Sequence, residues 1–106
     1  MNEAIREVLA RLRQGLSDLY GERLKGVYLF GSYARGEADA ESDIDVLIVL
    51  DRVDNYSQEI ERTSQLVANL SLECDRSISR VFVPEQRWRE GQTRFFLNVR
   101  EEAVPA

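Results

Sequence analysis

A chain of 106 residues, 43% hydrophobic and 31% charged, supports one globular domain over residues 1–106 with one modest core. No apolar run is long enough to span a bilayer, which argues against a membrane protein or a secreted precursor, and the single cysteine, Cys74, cannot form an internal disulfide and fits a reducing cytoplasm. Histidine is absent, which excludes His-based zinc sites, Ser-His-Asp triads and imidazole acid–base chemistry.

In chain order, Ile5, Val8, Leu9, Leu12, Leu16 and Leu19 recur at helical spacing and predict an amphipathic helix over about 3–20, which Gly21 stops. Val27-Tyr28-Leu29-Phe30 is a short apolar run ended by Gly31, consistent with a buried strand. Residues 31–42 are small and polar, hence a turn or loop. Asp43–Leu50 reads as a second strand. Its even positions Ile44, Val46, Ile48 and Leu50 form one apolar face, and Asp43 and Asp45 share the other with Leu47 and Val49. Asp54-Asn55-Tyr56-Ser57 supplies helix-start chemistry for a second long helix to about residue 72. Residues 74–83 predict a third strand carrying Asp75, though Arg76, Ser77, Ser79 and Arg80 are polar for anything but an edge. A short helix opens at Pro84-Glu85, and the apolar tail Phe95–Val99 must pack on the core or on a partner. The order helix–strand–strand–helix–strand–helix gives an α/β (α+β) domain with a small sheet, whose first two strands are neighbours.

The net charge of −5 is unevenly spread. Between Glu37 and Glu61 nine acidic residues face one base, Arg52; from Arg76 to Arg100 six arginines face Glu85 and Glu90. An acidic middle suits a cation and is unlike the continuous basic surface of a general nucleic-acid binder, so direct nucleic-acid binding is not expected. The arginine-rich third is either solvated surface, the commoner case, or a surface for phosphates or an acidic partner.

The chemistry concentrates in Gly31-Ser32-Tyr33-Ala34-Arg35-Gly36 and Ser42-Asp43-Ile44-Asp45. Two carboxylates two residues apart on a strand project from one face and repel each other unless a divalent cation sits between them. Mg²⁺ takes hard oxygen ligands and completes its shell with water and substrate phosphate. Gly31 lets the backbone approach a phosphate, and Ser32 offers an N–H and a hydroxyl beside it. Phosphate cradle and metal pair then lie side by side, as displacement at an α-phosphorus requires, with two metals able to stabilise attacking and leaving oxygens. Arg35 either contacts phosphate or holds the loop through an ion pair. Ser42 either bonds phosphate or caps the turn, and Tyr33 either stacks on a base or packs against the loop.

Gly31-Ser32, ten residues, then Asp43-Ile44-Asp45 resembles the signature of the polymerase-β-like nucleotidyltransferase superfamily. The fuller string, Gly-Ser-Tyr-Ala-Arg-Gly with Ser-Asp-Ile-Asp, is similar to its minimal bacterial and archaeal members, the MNT domains. The resemblance implies the core of that superfamily, a small mixed sheet flanked by helices, with ATP as substrate and Mg²⁺ as cofactor. It also implies a third carboxylate on a later strand, sharing the second metal and accepting the proton of the attacking hydroxyl. Asp75 matches that position, and Glu73 has the same parity. Minimal members accompany a small helical HEPN protein as toxin–antitoxin pairs. The resemblance therefore implies an antitoxin that transfers AMP to a tyrosine hydroxyl of a HEPN ribonuclease, and a homo- or hetero-oligomer to complete the acceptor site. Two other readings stand beside it: transfer to a small-molecule hydroxyl in a pocket completed by dimerisation, and neutralisation by docking without catalysis.

Overall fold

The computed structural model describes residues 3–106. Helix α1 (Glu3–Tyr20) ends where Gly21 adopts φ +57° and starts a 3₁₀ turn, Gly21–Arg23. Strand β1 (Leu24–Phe30) follows, then a single helical turn, α2 (Ser32–Arg35), and strand β2 (Ile44–Leu50). Helix α3 (Tyr56–Cys74) leads to strand β3 (Ile78–Pro84), and the chain closes with α4 (Glu85–Glu90), α5 (Arg94–Glu102) and a short strand β4 (Val104–Pro105).

The four strands form one mixed sheet in the order β3-β2-β1-β4. β1 runs antiparallel to β2 and to β4, whereas β2 and β3 are parallel and are joined through α3, the crossover that a parallel pair needs. The alternation read in β2 sorts its side chains onto two cores. Ile44, Val46, Ile48 and Leu50 pack with Val27 and Leu29 of β1, Ile78 and Phe82 of β3, and the apolar stripes of α1 and α3. Leu47 and Val49 face the other way and pack with Val83, Phe96 and Val99, joined by Tyr28, Phe30 and Trp88. The apolar tail therefore supplies core through Phe96 and Val99, while Phe95 and Leu97 of the same helix stay exposed. Trp88 is partly buried and packs against this second core, its ring 4.8 Å from that of Tyr28.

Three segments differ from the sequence-based expectation, one of them β4, which the element order read from the sequence lacks. Residues 32–35 are helical, because Gly36 at φ +72° caps a turn in which Glu37 N–H reaches the Ser32 carbonyl at 2.9 Å. The third strand begins at Ile78, not at residue 74, because α3 continues through Cys74. Glu73 extends that last turn by pairing with Arg11 of α1, and Asp75 ends it in the left-handed region at φ 52°, with its N–H on the Ser71 carbonyl. Aspartate is one of the few L-residues that tolerates that conformation. The polar character of β3 follows from its position at the sheet edge. Arg80 reaches from it to α3, donating from Nε to Thr63 Oγ1 and from Nη2 to the Ile60 carbonyl, both at 2.7 Å.

Candidate active site

Antiparallel pairing sets the last residue of β1, Phe30, opposite Asp45 near the start of β2. The chain turns at Gly31, so loop and carboxylate meet at the same end of the sheet. Gly31 adopts φ +75°, ψ −153°, and a Cβ added there would enter the Asp45 carboxylate. Glycine is required twice over, for a backbone that L-residues avoid and for close approach of the main chain to Asp45. The turn of α2 is fixed from within by Arg35 N–H on the Gly31 carbonyl at 3.1 Å.

A cleft of about 490 Å³ opens here, lined by Gly31, Ser32, Arg35 and Asp45 on one side and by Phe95, Asn98 and Glu102 of α5 on the other. Asp45 is half-buried and Asp43, just before the strand, is exposed. Burial and, next, the charge of Asp43 hold the Asp45 carboxyl above the ordinary aspartate range, with Arg35 pulling the other way. A hard cation with oxygen ligands would relieve that repulsion, so Asp43 and Asp45 are the residues that could hold one.

Of the remaining residues read from the sequence, Arg35 serves the loop: it pairs with Glu37 at 3.0 Å and with Glu102 at 3.4 Å. Ser42 caps its own turn, its Oγ accepting from Asp39 N–H at 3.0 Å. Tyr33 packs on the α1/α3 core, and its hydroxyl accepts from Arg76 Nε at 3.1 Å. The structure does not bring Asp75 to the aspartate pair. It sits at the end of α3 in a separate shallow depression with Ser71, Arg76 and Ser77. Glu73, the alternative, is turned to Arg11. The β3 residue in register with Asp45 is Ser79, whose neighbours on the same face are Val81 and Val83. Among the described residues no cluster of three acidic or sulfur ligands could hold a metal. The two-carboxylate pair therefore stands without a third. Glu102 lines the cleft with no signal in the local sequence, because only the packing of α5 brings it back to a loop so distant in the chain.

Sheet, glycine loop and aspartate pair meet at one end of the domain, an arrangement suited to phosphate beside a cation. Residues 9–95 match the family model described as nucleotidyltransferase domain, and the chain belongs to that family. It is 34% identical over 73 residues to a protein of Methanocaldococcus jannaschii named as a candidate protein adenylyltransferase, covering 69% of this chain and 73% of the relative. It is 37% identical over 73 residues to protein adenylyltransferase MntA of Thermococcus cleftensis, covering 69% of this chain and 72% of that one. Its fold matches a crystal structure described as a toxin–antitoxin with AMP-PNP, with a TM-score of 0.64 at 24% identity over 92% of this chain and 70% of that one.

Proposed function

We propose that this protein is a Mg²⁺-dependent nucleotidyltransferase antitoxin that transfers AMP from ATP to a tyrosine hydroxyl of a helical HEPN ribonuclease toxin. The observation that carries the reading is the close approach of the Gly31 main chain to Asp45, where a Cβ would collide with the carboxylate; it supports a phosphate-binding backbone beside a cation-binding pair. Family membership and relatives named as protein adenylyltransferases support transfer to protein. Gly31 and Ser32 would cradle the outgoing phosphates through the loop backbone, and Arg35 would balance their charge. Asp43 and Asp45 would hold Mg²⁺, which when bound neutralises the triphosphate and orients it. The tyrosine oxygen would then lose its proton to solvent and form its bond to the α-phosphorus as the bond from that phosphorus to the bridging oxygen breaks and pyrophosphate leaves. An AMP group on the toxin adds bulk and negative charge at a site that must accept RNA phosphates, which is sufficient to silence it.

A second reading has one observation in its favour: Ser79 stands where a third carboxylate would face Asp45, so the chain could neutralise its partner by docking alone. Intact-mass spectrometry of the partner after incubation with this protein, ATP and Mg²⁺ separates the two. Transfer predicts an added AMP that disappears with D43A/D45A. A stable complex formed equally well by that double variant, with no mass change in either case, would leave docking as the account.

A further inference from the structure

We propose that Glu102 is a built-in competitor for the nucleotide's phosphates, its carboxylate filling the anion subsite that a triphosphate must take. The inference rests on the reading of the cleft as a nucleotide site and adds an internal occupant to it. Gly31 N–H donates to Glu102 Oε1 at 3.2 Å, and Arg35 Nη1 donates to Oε1 at 3.5 Å and to Oε2 at 3.4 Å. Both groups suit an anion: a backbone N–H of the glycine at positive φ, and the one cation among the lining residues, beside Ser32 and Asn98. A carboxylate presents two oxygens to them much as a phosphate would.

Glu102 does not hold this position for the sake of its own helix. It is the last residue of α5, next to Glu101, and a carboxylate at a helix C-terminus opposes the helix dipole. What retains it there is the Gly31–Arg35 pair. The retention is weak enough to reverse, because the ion pair is partly solvated, with side chains 44% and 26% exposed, and such pairs contribute little. Charge completes the argument. The lining residues carry Arg35 against Asp45 and Glu102, with Asp43 adjacent, so a triphosphate meets a negative cleft. Cation binding at the aspartates and departure of Glu102 together make it receptive, which couples nucleotide affinity to the divalent ion.

The test is calorimetric titration of Mg·ATP, and separately of Mg·tripolyphosphate, into wild type, E102A and E102Q. Tripolyphosphate has no base, so it reads the phosphate subsite alone. E102A should tighten both ligands by about three- to tenfold, and E102Q, which keeps an acceptor for Gly31 N–H, by less. Unchanged or weaker binding in both variants, with thermal melts like wild type, would overturn the proposal and make Glu102 a clamp that shapes the loop. Should E102A fail to fold, E102Q alone decides, by the same criterion. Failure of wild type and E102Q alike to bind Mg·ATP would remove this inference and the nucleotidyltransferase reading together. Tighter binding in the variants without any AMP appearing on the partner would uphold this inference and count only against the proposed acceptor.

Discussion

Gly31 combines φ +75° with a Cβ position already taken by the Asp45 carboxylate, and no other side chain satisfies both constraints. Gly31→Ala should therefore strain the loop and push the carboxylate out of line. The expected loss of the proposed AMP transfer is about 10²-fold, since a displacement of about 1 Å at a reacting centre costs that much. Stability should fall by about 1–3 kcal/mol, the range for a non-glycine residue held in such a conformation. Transfer rate and urea denaturation read the two effects, and a wild-type rate in the variant would show that close approach is dispensable. The neighbouring residues divide differently from their types. Arg35 and Ser42 were open in the sequence between phosphate and local roles. Ser42 is engaged by Asp39, and Arg35 by Glu37 and Glu102. A short polar side chain in a turn has too many near partners for its sequence neighbours to rank them.

At the scale of elements, β3 shows how an edge strand carries polar residues without losing its place. Ile78 and Phe82 face the α1/α3 core, and Arg80 between them reaches α3 through the Thr63 hydroxyl and the Ile60 carbonyl. Thr63 is fully buried, and its hydroxyl donates to the Glu59 carbonyl at 2.9 Å while accepting from Arg80. Arg80→Ala should destabilise the fold by about 1.5–3 kcal/mol, as for hydrogen bonds to a charged donor, with transfer otherwise intact. Urea denaturation monitored by circular dichroism measures it; a change under about 0.5 kcal/mol, the size of an ordinary surface substitution, would mean the contacts are surface ornament. Periodicity located α1, β1, β2 and α3 well because each is long and regular. It misplaced the start of β3, since Leu72-Glu73-Cys74 suits helix or strand alike and only the Arg11–Glu73 pair and the Asp75 cap choose between them.

Across the whole molecule, the parallel pairing of β2 with β3 decides which residue faces Asp45. The family resemblance pointed to Asp75, with Glu73 as the alternative; the residue in register with Asp45 is Ser79, four residues after Asp75 and in a different element. Ser79→Asp should add a third carboxylate beside the pair. Without divalent ion the added repulsion should lower the melting temperature, and with Mg²⁺ the variant should recover more than wild type does. About tenfold tighter Mg²⁺ binding is expected, equal to about 1.4 kcal/mol of extra stabilisation at saturating excess. Thermal melts across a Mg²⁺ titration give the comparison, and equal shifts in variant and wild type would show that position 79 lies outside the cation's reach. Packing of α5 across the second face of the sheet has a similar consequence, since it alone delivers Phe95, Asn98 and Glu102 to the cleft.

The sequence by itself determined the mixed α/β class, the two-faced β2 strand, and the meeting of the Gly31 loop with the aspartate pair. All three depend on contacts between residues close in the chain, where turn chemistry and a period of two leave few alternatives. Only the tertiary structure decided that Asp75 ends α3, that Ser79 is in register with Asp45, and that Glu102 reaches Gly31 and Arg35. These follow from a crossover register and from a helix docked at long range. Both are set by how apolar faces bury against one another, which no local pattern encodes.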